Sequence, residues 1–179
     1  FYVWAFRGTP VLVQIVLWGY LGLLFDQIRL GIPLTDVVFW SMDTNALVTP
    51  FVAGLLALTL NQAAYSSEIV RAGMMSVDEG QREAAYSLGM SPASVSRLVV
   101  LPQVARRLAP AMLGAFVMLQ KDTALVNIVG IVDAFQQSKI YSGNYYNLSS
   151  IVVVCVLFIA CTIPQTRFVD YQLAKARRR

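Results

Sequence analysis

Glu83-Ala84-Ala85, then Gly89, then Val99, Leu101 and Pro102, form a polar stretch set between two apolar runs of membrane-spanning length. Ser76 and Glu79 stand at capping-box spacing, which predicts a helix starting near Val77 and carried by the good formers Glu83, Ala84, Ala85 and Leu88. Gly89 can end that helix. Ser91-Pro92 can open a second, because proline at the first helical turn lacks only an N–H that has no partner there, and Pro102 is expected to close it. The expectation is two short helices bent at Gly89, a hairpin over about residues 76–102 that a membrane protein offers to a soluble partner.

Working outward, the composition places most of the chain in a membrane. Hydrophobic residues make up 57% of the 179 and charged residues 13%, against roughly 25% charged in ordinary soluble domains. From Leu30 to Val70 the charged residues are Asp36, Asp43 and Glu68, so the apolar run Ala46 to Leu60 is unsuited to a water-facing surface. The net charge of +4 is scattered through connectors without the aromatic interleaving of a single-strand binder, which argues against nucleic acid. Histidine is absent from the sequence, which removes the commonest metal ligand and general base. Cys155 and Cys161 fall within one apolar segment, separated by roughly 9 Å of helical rise, too far for a disulfide inside that helix.

Four segments approach the ~20 residues that cross a bilayer as a helix. They run from about Tyr2 to Phe25, interrupted by Arg7-Gly8-Thr9-Pro10; Leu47 to Val70; Leu108 to Val132; and Leu148 to Phe168. A connector from Asp26 to about Ala46 carries Gly31, Pro33 and the three aspartates. The first residues after Phe1 already read as the beginning of a span, which predicts one more span upstream. Basic residues set the direction. Arg7, Arg71, Arg82, Arg97, Arg106, Arg107, Arg167, Lys175, Arg177, Arg178 and Arg179 fall on one side, Arg29 and Lys139 on the other. By the positive-inside rule the Glu83 hairpin and the C-terminus are cytoplasmic, and the Arg177-Arg178-Arg179 tail reads as a stop-transfer flank.

Ionisable groups inside a span are expensive and usually face a cavity or a partner. Lys121 and Asp122 are adjacent, about 100° apart on a helix, so they do not neutralise one another on one face. With the Thr123 hydroxyl they are candidates for lining a path for a zwitterionic solute; the alternative is that Lys121 snorkels to the interface and Asp122 pairs structurally. Asn61 and Tyr65, at i and i+4, are candidates for the path wall or for interhelical hydrogen bonds. Glu68 and Arg71, at i and i+3, read as a helix-face pair for packing or gating support. Gly19 and Gly22 permit close helix contact.

The spacing around Glu83 resembles the EAA loop of bacterial ATP-binding-cassette importer permeases: E-A-A, three residues, G, nine residues, I, one residue, L-P, with Val99 in place of the Ile. Phe6-Arg7-Gly8-Thr9-Pro10 with Val13-Gln14, Ala64-Tyr65 with Glu68-Ile69-Val70-Arg71, Gly80-Gln81-Arg82 leading into Glu83, Leu88-Gly89-Met90-Ser91, Leu101-Pro102-Gln103 and Lys121-Asp122-Thr123 narrow the resemblance to polar-amino-acid permeases. Ser67 and Ala124 depart from that pattern. The resemblance implies an all-α polytopic bundle of the type I importer permease core, a single transmembrane domain over 1–179 in the inner membrane of a bacterial cell. It also implies ATPase coupling through Glu83, Ala84, Ala85, Gly89, Leu101 and Pro102. The expected partners are ABC ATPase subunits, a second permease subunit that is identical or homologous, and an extracytoplasmic amino-acid-binding protein. The sequence contains no G-x-x-x-x-G-K-[ST] loop, so ATP and Mg are expected in the ATPase and no cofactor in this chain. A permease of the same architecture for another small solute, and an ion-coupled secondary transporter, are the rival readings; the second leaves the hairpin unexplained. In an intramembrane enzyme a Cys or Ser nucleophile would need a Lys or Asp partner, and no spacing in the sequence proposes one.

Overall fold

The computed structural model describes residues 1–32 and 37–177; Pro33 and Asp36 of the connector, and Arg178 and Arg179, lie outside the described residues. These residues divide into two compact units, one within Phe1–Asn61 and Lys121–Val156, the other within Gln62–Gln120 and Leu157–Arg179.

In the first unit the opening segment is broken twice. Helix α1 (Tyr2–Gly8) ends at Thr9, and α2 (Val11–Gly19) starts after Pro10, the interruption expected from the sequence. A second break at Tyr20 precedes the short α3 (Leu21–Leu24). Gly19 and Gly22 flank it, and glycine has the lowest helix propensity after proline. Both glycines also allow close approach: a Cβ on Gly19 would strike the Val129 side chain, and one on Gly22 the Asn45 amide.

The Asp26–Ala46 connector holds a β-hairpin. Strands β1 (Gln27–Gly31) and β2 (Val38–Asp43) pair antiparallel with a register shift between Leu30 and Gly31. Asp43 then caps α4 (Thr44–Leu47) by accepting from the Asn45 and Ala46 amides at 2.8 and 3.1 Å.

Helix α5 (Pro50–Met75) contains 26 residues, enough at 1.5 Å per residue to reach about 39 Å. Ile15, Ala57 and Val126 form the buried centre of the first unit, with Val11, Trp18, Leu58, Leu125, Val129 and Ile131 around them. The same unit holds a 3₁₀ stretch (Thr123–Val129), stopped by the left-handed Gly130, and α9 (Ala134–Tyr145), capped by Asp133.

The second unit contains α6 (Glu79–Ser87), α7 (Pro92–Ser94), a π-helical stretch (Val95–Val100) and most of α8 (Leu101–Asp122). Two sequence expectations are corrected here. The N-cap of α6 is Asp78, which accepts from the Gly80 amide at 2.8 Å; Ser76 instead finishes the last turn of α5, its hydroxyl donating to the Gly73 carbonyl. Pro102 does not close the second arm. The helix passes through it from Pro92 onward, because the π-helical turns before it widen the backbone where the proline ring would crowd the preceding carbonyl. The second arm is therefore the start of a long helix.

Helix α10 runs Ser149–Arg177 through Pro164, and Cys155 and Cys161 are free and exposed on it. Among the described residues two continuous helices, Pro92–Val129 and Ser149–Ala174, are long and apolar enough to cross a membrane. Neither is mostly buried by the rest of the chain, unlike the core helix of a soluble protein. The first covers the expected third span as far as Val129, where Gly130 stops the helix, and the second covers the expected fourth from Ser149. The expected first span is fragmented, and α5, expected as the second, carries Asn61, Gln62, Ser66 and Ser67 along its length.

Candidate functional site

The Glu83 stretch folds as a closed unit with its own small core. Val77, Ala85, Val95, Val100 and Val104 are buried together, with Met90, Val99 and Leu108 packed against them. Helix α6 ends in a Schellman turn: the Gly89 amide donates to the Tyr86 carbonyl at 2.9 Å and the Met90 amide to the Ala85 carbonyl at 3.2 Å. That geometry needs Gly89 at φ +77°, a conformation open to glycine and costly to a residue with Cβ. The accompanying apolar contact is supplied by Met90, packed against the cluster that contains Ala85. Ser91 caps the second arm by accepting from the Ser94 amide at 3.3 Å, with Pro92 at the first turn, as the sequence predicts.

Side chains tie the arms together and fix them to the end of α5. Gln103 donates to Gln81 at 2.6 Å, Arg82 donates to the Met74 carbonyl at 2.7 Å, and the Arg107 guanidinium donates to the Ser76 carbonyl and hydroxyl. Nearby, Gly73 permits the Leu108 side chain to sit against the backbone of α5. Glu68 and Arg71 form the expected ion pair; hydrogen bonding to Glu68, then its charge, holds the Arg71 guanidinium above its ordinary pKa.

The six coupling candidates separate by exposure. Glu83 and Ala84 face outward on α6, whereas Ala85 is buried in the hairpin core. Gly89 is at the exposed bend, and Leu101 and Pro102 are exposed where the π-helical stretch becomes α8. Tyr86, Leu88 and Leu98 are exposed on the same hairpin. None of these three is among the coupling candidates of the sequence, and neither the Asp78 cap nor the Arg107 and Gln81–Gln103 contacts are expected from it. Asp78 carried a usable signal, since aspartate is among the strongest N-caps.

The path candidates occupy different settings. Lys121 is exposed and Asp122 half-buried at the last turn of α8, and Thr123 is exposed where the helix tightens to 3₁₀. Tyr65 is exposed on α5. Asn61 is buried, and its amide donates to the Phe6 carbonyl at 3.0 Å and to Gln14 at 3.4 Å. Gln14, also buried, donates to the Phe6 carbonyl at 2.9 Å and to the Thr9 hydroxyl at 2.8 Å. The Phe6 carbonyl is the acceptor that Pro10, lacking an N–H, leaves without a helical donor. Two amide side chains satisfy it, so Asn61 makes the interhelical bond that was the alternative to lining a path. Among the described residues no group of three or more Cys, Asp or Glu is placed to hold a metal ion.

A family model described as the binding-protein-dependent transport system inner membrane component matches residues 1–178. An arginine transport system permease protein of Corynebacterium glutamicum is 41% identical over 70% of this chain and 38% of its own length. An arginine transport system permease protein of Bacillus subtilis is 33% identical over 88% of this chain and 64% of its own length. An L-cystine transport system permease protein of the same organism is 35% identical over 90% of this chain and 63% of its own length. The chain thus spans 38% to 64% of these relatives. A crystal structure of an amino acid ABC transporter with histidines superposes with TM-score 0.79 at 30% identity, over 99% of this chain and 73% of that one.

Proposed function

Because the chain belongs to the family of binding-protein-dependent transport system inner membrane components, we propose that it acts as the permease subunit of an ATP-driven importer for polar amino acids. The observation that carries this reading is the hairpin: α6 is capped by Asp78, closed at Gly89 and clamped by Arg107, and its second arm continues without a break to Asp122. A hairpin continuous with a membrane-length helix can pass a push from a soluble partner to the lipid-embedded part as a rigid lever.

In this reading Glu83, Ala84, Leu101 and Pro102 meet an ATPase subunit that supplies hydrolysis, and Ala85 and Gly89 hold the hairpin's shape. The hairpin and the C-terminus face the cytoplasm. A second permease subunit completes the path, and an extracytoplasmic binding protein delivers the solute. The arginine and cystine names of relatives support a polar amino acid as cargo. Lys121, Asp122, Thr123 and Tyr65 contribute to the path, while Asn61 braces its wall through Phe6 and Gln14.

The test is uptake by proteoliposomes holding the full-length permease with its ATPase and binding protein. Accumulation is expected to require ATP and the ATPase, to persist with an ionophore, and to be competed by polar amino acids. Uptake that survives loss of the ATPase and collapses with the ionophore would overturn the proposal in favour of a secondary transporter.

A further inference from the structure

Strand register sorts the residues of the β1–β2 hairpin by chemistry. Residues paired across an antiparallel ladder share a face, and successive pairs alternate between faces. Ile28 pairs with Met42 and Leu30 with Trp40, whereas Gln27 pairs with Asp43 and Arg29 with Ser41. These four pairs therefore put apolar side chains on one face and polar ones on the other, while Phe39, unpaired at the register shift, falls outside the alternation. Hydrogen bonds from Arg29 to Gln27 at 3.1 and 3.2 Å confirm that these two side chains lie on the same side.

The apolar face is largely uncovered: Leu30 is 61% exposed, Trp40 39% and Met42 40%, with Ile28 half-buried. An isolated two-stranded hairpin is marginal in water, so this face needs a surface. We propose that it rests on lipid, with the hairpin lying at the bilayer surface, Trp40 and its three apolar neighbours in the headgroup–acyl boundary and Arg29 and Asp43 turned to water.

Continuity with the membrane segments supports lipid as the occupant. The base of the hairpin is fixed where the Thr44 amide donates to the Asp26 carbonyl at 3.0 Å, next to Leu23, Leu24 and Phe25, which are themselves exposed apolar residues. Tryptophan favours this depth because its ring is apolar and its N–H seeks polar headgroups. A protein occupant fits less well: four side chains fall far short of the ~20–30 residues per side of a standard interface.

The experiment uses the full-length permease assembled with its ATPase in lipid nanodiscs. The fluorescence difference between this complex and its Trp40→Phe counterpart isolates Trp40 from the other tryptophans. Lipids brominated just below the ester linkage should remove most of that signal, lipids brominated near the chain ends less of it, and aqueous acrylamide little. Quenching by acrylamide without a bromolipid effect would overturn the proposal by placing the face in water. Protection from both would overturn it in favour of a protein cover, and stronger quenching by chain-end bromines would overturn the interfacial depth.

A second measurement does not depend on Trp40→Phe assembling. With Cys155 and Cys161 replaced by Ala, Ser41→Cys in the nanodisc complex should react rapidly with a water-soluble maleimide and Met42→Cys slowly. Equal rates would overturn the proposal.

Discussion

Gly89 shows how one backbone conformation can hold a mechanical element together. Its φ of +77° lets the Gly89 and Met90 amides reach back to the last carbonyls of α6, and a left-handed residue with Cβ costs roughly 1–2 kcal/mol, more when β-branched. Nothing lies within 4 Å of a Cβ built there, so the penalty is conformational and not steric crowding. Gly89→Val is expected to loosen the turn and lower uptake per ATP hydrolysed, while leaving the complex assembled; ATPase and uptake rates measured on the same proteoliposomes check this, and unchanged coupling would refute it. Lys121 poses a different single-residue question. If its ammonium lines the path, Lys121→Met removes a charge while keeping much of the volume, and truncating one partner of a desolvated charge contact costs roughly 2–5 kcal/mol. Uptake should then fall strongly while the ATPase still co-purifies. Unchanged uptake would mean that Lys121 only snorkels, and loss of assembly that it is structural.

At the scale of the element, breaks are sites where orphaned backbone groups find new partners. Asp78 serves the first turn of α6 through the Gly80 amide, and removing such a cap costs typically ~1 kcal/mol. Asp78→Ala should therefore raise hydrogen exchange selectively in the first turn of α6 and leave the Schellman turn protected; a uniform change across the hairpin would contradict a local capping role. The break at Pro10 works through side chains. Gln14→Leu leaves the Phe6 carbonyl with Asn61 alone and deletes the bonds to Thr9 and from Asn61, and a typical hydrogen bond contributes about 0.5–1.5 kcal/mol net. A lowered thermal unfolding midpoint of the purified complex is expected, with Gln14→Glu failing to restore it because a carboxylate offers no donor to the carbonyl. The π-helical stretch before Pro102 belongs to the same class, since it carries the helix across a proline that would otherwise end it.

At the scale of the whole molecule, the basic residues and the apolar helices make a prediction about direction. In intact cells, with Cys155 and Cys161 replaced by Ala, Ser41→Cys should be labelled by an impermeant maleimide from outside, and Ser87→Cys only after permeabilisation; the reverse pattern would invert the proposed orientation. Much of this was legible in the sequence because it depends on local terms. The apolar runs follow from the free energy of transfer to lipid, the bend from glycine's freedom at positive φ, and the start at Ser91-Pro92 from the chemistry of a first helical turn. The Glu83–Pro102 spacing was likewise sufficient to suggest the family. What the sequence left open depends on partners far along the chain. Asn61 meets a carbonyl 55 residues away, Arg107 reaches Ser76 across 31, and Gln103 reaches Gln81 across 22. Ala84 and Ala85 have the same side chain, yet one faces outward and the other closes a core formed by Val95, Val100 and Val104. Local propensity could not choose between them, because the choice depends on where neighbouring helices have already placed their apolar faces. Pairing likewise decided the connector, since only the register of β1 against β2 gathers Ile28, Leu30, Trp40 and Met42 on one face.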